Sequence, residues 1–508
     1  MKIVKNIKCC CAFFLFSTVF FSCSDLLDQR PQGVLTEDDL TGGTYETQVF
    51  GMYADLRGYS LTTGNSAMDI HCFRSEDAEK GSTLSDGSEH AAMYDDFNYS
   101  ASNSVLNSYW SANYALIHSV NDLLYEMDIN GDLTDGDLIN KAEAKFFRAF
   151  CYFNLVRAFG EVPLIDFKLN DASDANIPKS TVDEIYKLID DDLTEAENTL
   201  PLSWDAQYIG RLTRGAARAL HARTYMMRSD WANMRAASED VIISGIYNLD
   251  TPFSEIFRET GENCSESILE LQCTSTESLP GSNEIGSQFA QVQGCRGSGD
   301  WNLGWGWHTP TELLAEAFEE GDPRKDETLL YFVRTGEDPS TIPANTPWGE
   351  KPVANADVVA KYFNKKAYTN PEWRTRFTKG GYWVNVRLIR YADVVLMAAE
   401  AACELGDLPA ARDYLEMVRN RARGGDMSIL PEVTTENQNE LREAIRHERR
   451  VELAMEFDRF YDLVRWGIAK EVLHAAGKTN YQDKHALLPL PQEEIDKSNG
   501  VLVQNPNY

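Results

Sequence analysis

Between Arg387 and Arg423 the chain reads RLIRYADVVLMAAEAACELGDLPAARDYLEMVRNRAR, and this stretch restricts the available folds more than any other. Apolar or small residues recur at Leu388, Tyr391, Val395, Ala398, Ala402 and Leu405, in steps of three and four that put them on one helix face. Gly406 suits the left-handed residue that ends a helix, and Asp407 can cap the next. Pro409 falls in that helix's first turn, where a missing N–H costs little. A second apolar face follows at Ala411, Tyr414, Leu415 and Val418. The segment is a helical hairpin with a very short turn, and small residues at Ala399, Ala402 and Ala411 let its helices approach closely. One hairpin cannot bury both its faces, so others must stack on it.

Further helical segments are spread along the chain. Leu106–Met127 carries Trp110, Tyr114, Ile117, Asn121 and Leu124 on one side. Lys141–Ile165 is lined by Phe146, Phe150, Phe153 and Val156, with a stop signal at Gly160 and Pro163. Burying a large apolar side chain is worth roughly 1.5–3 kcal/mol, so this aromatic stripe reads as core. Thr181–Leu200 is acidic and amphipathic, and Arg211–Arg228 with Asp230–Gly245 forms another hairpin. Leu441–Leu473 reads as a last helical pair, dense in charges from Glu448 to Arg465 that are expected to pair at helical spacing or with the preceding hairpin. The small residue, Gly and Ala at fixed offsets resemble a tetratricopeptide (TPR) repeat. Residues 59–104 and 250–384 break the pattern, being rich in Gly and Ser with short strand-prone runs at Ser267–Cys273 and Val358–Phe363 and a short helix at Thr311–Glu319. Irregular stretches of this length usually carry function.

The N-terminus, MKIVKNIKCCCAFFLFSTVFFSC, has a basic start at Lys2, Lys5 and Lys8 and an apolar core, Cys9–Phe21, too short to span a bilayer. It reads as a signal peptide over residues 1–22 and resembles a bacterial lipoprotein signal, which implies acylation of Cys23 and a lipidated tether over residues 23–44. The formal net charge of −31 repels nucleic acid and anionic lipid heads, so attachment to a membrane is expected through lipid rather than a basic face. Of the remaining cysteines, Cys151 and Cys403 sit in apolar helical patterns, and a disulfide among Cys264, Cys273 and Cys295 is not the favoured expectation.

No nucleophile turn, phosphate loop or dinucleotide fingerprint is present, and His447–Glu448 lacks the second histidine of a metalloprotease. No catalytic residue, resident metal or cofactor is expected. Asp69, Glu76, Asp77 and Asp95 are oxygen donors of the kind calcium takes, but no EF-hand loop frames them.

The lipoprotein cysteine with CSDLLDQRPQG, RAFCYFNLVRAFGEVPLI, GRLTRGAARALHARTYM, the PTELLAEAF…GDPRKDETL run, RYADVVLMAAEAACELGD, ERRVELAMEFDRFYDLVRWG and LLPLPQEEID…QNPNY together resemble the SusD/RagB family of outer-membrane nutrient-binding lipoproteins. The resemblance implies a mainly α fold in which four TPR-like helical hairpins support an irregular ligand-binding lobe. Its expected parts are residues 45–249 with TPR-like helices, 250–384 as the lobe and 385–508 as the C-terminal helices, within one SusD-like fold. It also implies lipid anchoring on the surface face of the outer membrane and a TonB-dependent, SusC-like β-barrel transporter as partner. The usual ligands are oligosaccharides and one branch handles peptides. A surface endo-glycosidase using buried carboxylates and a protein-binding TPR scaffold are the other classes weighed.

The expected ligand surface lies in the two irregular regions. Gly294–Pro310 reads GCRGSGDWNLGWGWHTP, with Trp301, Trp305 and Trp307 among glycines and polar residues. A pyranose stacks its C–H faces on flat rings, while Asp300, Asn302, His308, Arg74 and Asp95 are candidate partners for its hydroxyls. Tyr94, Phe97 and Tyr99 are further candidate platforms. For Trp305 and Trp307, packing onto the helical array and ligand contact stand equally open, and Trp301 is the stronger ligand candidate.

Overall fold

The computed structural model describes residues 43–83, 86, 91–334, 336–338, 340, 346–351 and 358–508. The main helices of the frame are α1 (Glu46–Leu56), α2 (Asn65–Cys72), α3 (Ser104–Asn130), α4 (Asp135–Phe159), α5 (Val182–Thr199), α6 (Arg214–Met227) and α7 (Trp231–Ile243). After the lobe come α8 (Tyr391–Glu404), α9 (Leu408–Arg423), α10 (Gln438–Glu452), α11 (Arg459–Arg465) and α12 (Ala469–Ala475). Side-chain caps fix most of the starts. Thr134 and Thr181 form capping boxes with Asp137 and Glu184, and Asn103, Thr213, Asp230, Asp407 and Asn437 each accept a first-turn N–H.

Each of α3 to α8 packs on the next, and both α9 and α10 pack on α8. The central helix α8 is buried on nearly every side, and Ala398, Ala399, Ala401 and Ala402 have no exposed surface. Their lack of bulk is what admits neighbours at such close range. Gly406 ends the hairpin's first helix with φ of 82°, as its sequence position predicts. All six described cysteines are free thiols, and Cys151 and Cys403 lie in the core.

α4 ends at Phe159 with Gly160 at φ of 76°, the stop that the sequence marks. Three local features depart from the sequence expectation. Residues 386–390 are a strand, so α8 starts at Tyr391; over so few residues a helical and a strand period cannot be told apart. The last helical pair is interrupted after Glu452, where Met455 and Phe457 adopt φ of 66° and 82°. Finally, α2 lies within a stretch read as irregular. All eight of its residues are buried, including Asn65, Asp69 and His71, so it shows no amphipathic stripe.

Three small antiparallel pairings organise the lobe. β1 (Ala78–Glu79) pairs with β3 (Thr309–Pro310), β2 (Ser267–Leu271) with β6 (Val386–Arg390), and β4 (Leu329–Tyr331) with β5 (Tyr362–Asn364). The β1–β3 pair, reinforced by Thr311 donating to the carbonyls of Asp77 (3.1 Å) and Glu76 (2.7 Å), joins the two irregular regions. Buried ion pairs hold the lobe to α10. Arg324 reaches Glu448 (2.5 Å) and Glu452 (3.0 Å), Arg390 joins Glu266, Glu452 and Glu456, and Lys366 meets Glu456 (2.5 Å). Arg421 from α9 closes the set on Glu266 and Glu452.

Candidate functional site

Gly294–Pro310 doubles back on the segment before it. The N–H groups of Leu303 and Gly304 donate to the Cys295 carbonyl (2.9 and 3.1 Å), Trp305 to Gln291 (2.8 Å) and Gly306 to Gly294 (2.8 Å). A Cβ on Gly304 would collide with the Gln291 carbonyl, so close backbone approach explains that glycine. The turn Gly299–Trp301 forms the tip of this loop, where Asp300 and Asn302 are exposed and Trp301 is half-buried.

The Trp301 ring meets Phe332 edge-on at 5.2 Å and lies near-parallel to Tyr368 at 6.4 Å. Tyr368 is buried, and Trp348 stands 5.8 Å beyond it, half-buried like Trp301. The Arg374 guanidinium lies 4.9 Å from the Tyr368 ring and donates to Glu350 (2.8 Å), which also accepts the Tyr368 hydroxyl. Burial drives the Tyr368 phenol upward against the opposing pull of Arg374. Beside these rings is a small cavity of about 10 Å³, room for roughly one water molecule, lined by Gln293, Asn364, Thr369 and Lys379 together with apolar side chains that include Leu303 and Tyr368. Gln293 is held in place by donation from Asn364 Nδ2 (2.7 Å) and His308 Nδ1 (2.9 Å) to its Oε1. Lys379 donates to the Gly299 carbonyl (2.7 Å) and lies 3.7 Å from Asp300. Gln293, Asn364 and Thr369 are buried, so what faces outward is the half-buried Trp301 and Trp348 rings, a stacking face, with exposed Asn302 and Lys379 as polar neighbours.

The other tryptophans form a second group. Trp305 and Trp307 are 5.1 Å apart. Trp307 is buried with its indole N–H on Asp86 (3.2 Å), and Trp305 is half-buried against the main core. Asp86 also pairs with Arg296. Burial would raise the Asp86 carboxyl, but bonds from Arg296 and Trp307 outweigh it and hold it below its ordinary value.

Five candidates from the sequence lie in packed interior. Arg74 has no exposed surface, and its guanidinium sits 4.1 Å over the Phe460 ring. Tyr94 stacks on Tyr99 at 4.9 Å, and both are buried. Phe97 is enclosed by Phe460, Tyr481 and His485. His308 is 2% exposed, and burial, helped by Lys478, pushes its imidazole down to about 3. None of the five presents a face to a ligand, which corrects the expectation. The polar composition around them signalled a surface, whereas the chain there folds inward around α2. Asp95 is partly exposed and pairs with Lys478 while accepting the Lys80 N–H (3.0 Å). Glu76 and Asp77 are paired with Arg459 and Arg450. Among the described residues no group of three or more His, Cys, Asp or Glu could hold a metal.

Trp348, Tyr368, Gln293, Thr369 and Lys379 were not foreseen. Trp348, in TPWGE, carries the same signal as Trp301, a large ring among Pro, Gly and a charge. The other four have no comparable mark in the sequence.

A frame of stacked helical hairpins carrying a loop-rich lobe with small two-stranded pairings defines the fold class. Two family models match the chain: one described as the SusD family over residues 265–508, and one described as starch-binding and associating with the outer membrane over residues 50–226. The chain belongs to the SusD/RagB family. It is similar to SusD-like protein P2 of Formosa agariphila, 28% identical over 98% of this chain and 99% of that protein. Among solved structures it is similar to a laminarin-binding SusD-like protein (28% identical, TM-score 0.73, covering 91% of this chain and 98% of the other). It is also similar to surface glycan-binding protein A from Bacteroides fluxus (25% identical, TM-score 0.73, covering 92% and 100%). A SusD superfamily protein from Bacteroides vulgatus, 23% identical, shares the fold with a TM-score of 0.74 over 91% of this chain and 98% of the other.

Proposed function

We propose that this chain is a cell-surface lipoprotein of the outer membrane, without catalytic activity, that captures an oligosaccharide on the Trp301–Tyr368–Trp348 face. It then passes the sugar to a partner TonB-dependent β-barrel transporter. The observation that carries the proposal is the half-buried Trp301 ring at a loop tip, with exposed Asn302 beside it and exposed Lys379 donating to the Gly299 carbonyl of the same turn. The names of the laminarin-binding and glycan-binding relatives support the same ligand class. Open sites of this kind are expected to bind with Kd of roughly micromolar to millimolar, or about −8 to −4 kcal/mol. Losing one stacking ring, at about 1 kcal/mol, then weakens binding several-fold. The test is calorimetry with a glycan panel that includes laminarin, run on the wild type and on Trp301→Ala protein shown by circular dichroism to be folded. Unchanged affinity for a glycan the wild type binds removes Trp301 from the site, and release of shorter sugars from the panel sinks the non-enzymatic part.

A further inference from the structure

We infer that Trp373 is a second stacking platform, on which a long glycan already held at the Trp301–Trp348 face lays a further stretch of its chain; this rests on the function proposed above. All ten tryptophans lie among the described residues, and Trp373, 39% exposed, is the most open of them. Its position is fixed. It stands on the short helix Pro371–Arg376, whose start is capped by the Asn370 side chain accepting the Glu372 N–H (2.9 Å). The ring packs on Trp383 at 5.7 Å and Phe377 at 6.0 Å. Trp383 is buried, and Glu259 accepts both its indole N–H (2.9 Å) and the Asn370 N–H (3.2 Å), so one carboxylate ties down the supporting ring and the helix start. A ring immobilised in this way loses little freedom when a ligand settles on it.

Single apolar side chains on a surface are ordinary, and it is the surroundings of Trp373 that point to a sugar. Half-buried Phe377 adjoins it, and the Arg376 guanidinium lies 4.9 Å from the Phe377 ring while facing Glu277 at 3.6 Å. Both charged side chains are largely exposed. An aromatic face with an exposed acid and base at its edge matches a pyranose, which offers C–H faces to a ring and hydroxyls to charged groups. The same segment is joined to the first face at two points. Arg374, next in the chain, pairs with Glu350 (2.8 Å) and lies 4.9 Å from the Tyr368 ring. Lys379 donates to the Gly299 carbonyl (2.7 Å) in the turn that bears Trp301. A chain molecule held at one face meets the other at raised effective concentration, so the second contact adds affinity without being strong itself. Trp373 thereby makes binding depend on the length of the glycan.

The experiment is hydroxyl-radical footprinting of the full chain, read by mass spectrometry, with laminarin, starch, galactomannan, alginate and polygalacturonate and with di- and trisaccharides cut from each. A bound polymer should slow oxidation of both Trp301 and Trp373 several-fold, whereas its short fragments should protect Trp301 far more than Trp373. A second arm measures affinity by calorimetry for Trp373→Ala and Trp373→Phe, with folding checked by circular dichroism. In the alanine variant the ratio of polymer affinity to short-sugar affinity should fall several-fold, and phenylalanine should restore part of it. Footprinting of the wild type decides the question even if the alanine variant fails to fold. Oxidation of Trp373 at its free rate in a complex that protects Trp301 overturns the inference, turns attention to a protein partner for this ring, and leaves glycan binding standing. Equal losses for polymer and short sugar in the alanine variant would show that Trp373 only steadies Arg374, and overturn it as well. Failure to bind any glycan sinks the proposed function itself and the inference with it.

Discussion

Burial keeps the His308 imidazole neutral down to a pH of about 3, with Lys478 adding to the effect. In an unfolded chain the same group takes up a proton near pH 6.5. The unfolded state therefore binds more protons than the native state between these values. Stability associated with His308 is complete above pH 6.5 and is lost as pH falls toward 3. Each tenfold difference in proton affinity between the two states is worth roughly 1.4 kcal/mol. Acidification from about pH 6.5 to 4.5 should therefore remove roughly 2–3 kcal/mol through this residue. His308→Asn is a suitable variant, since His308 has φ of 54° and asparagine accepts the left-handed region. Urea midpoints measured across this pH range should fall less steeply in the variant; parallel slopes would show that another group carries the dependence. At this scale the sequence was a partial guide. It singled out Trp301 because large rings among glycines have few local neighbours, but the same reasoning placed Arg74, Tyr94 and Phe97 on the surface. Arg74 and Phe97 pack on Phe460 and Tyr481 from distant parts of the chain, which leave no local signal, while Tyr94 stacks on its near neighbour Tyr99.

Helix α10 shows how one element can tie a frame to its lobe. Glu452 has no exposed surface and faces Arg324, Arg390 and Arg421. Burial would raise its carboxyl, but the three guanidiniums together hold it far below the ordinary range. Replacing it with a neutral residue leaves buried positive charge without sufficient compensation, a change that costs roughly 3–5 kcal/mol. Glu452→Gln should lower the urea midpoint accordingly, and a loss below about 1 kcal/mol would mean that neighbouring carboxylates make good the deficit. The density of charge in this helix was visible in the sequence, as were the caps Asp407 and Asp230 and the stop at Gly406. The break after Glu452 and strand β6 were not, because apolar spacing runs on through the first and is too short to assign a period in the second.

For the whole molecule, the acidic surface and the proposed site both require that attachment come from elsewhere. Cys23, outside the described residues, is the proposed lipid attachment point. Stable anchoring needs more than one acyl chain. Cys23→Ala should move the protein from the membrane to the soluble fraction, and retention after a high-salt wash would refute acylation at this residue. The helical frame was legible from its repeated hairpins, whereas the arrangement of the lobe that carries the proposed ligand face depended on pairings such as β1–β3 that join residues far apart in sequence.

In the pairing of β2 with β6, Leu271 stands opposite Val386, so the chain leaves the helical frame and returns to it at nearly one point. A segment whose ends meet can be lengthened or exchanged at small entropic cost to the rest. Recombination between relatives at these two strands would transfer a lobe as a cassette and change ligand preference while the frame is inherited intact. The incoming segment would have to bring its own counterparts of Arg324 and Lys366 to answer Glu448, Glu452 and Glu456. Those acids then act as a compatibility test, under which lobes could be exchanged among related surface proteins only where the buried charges match.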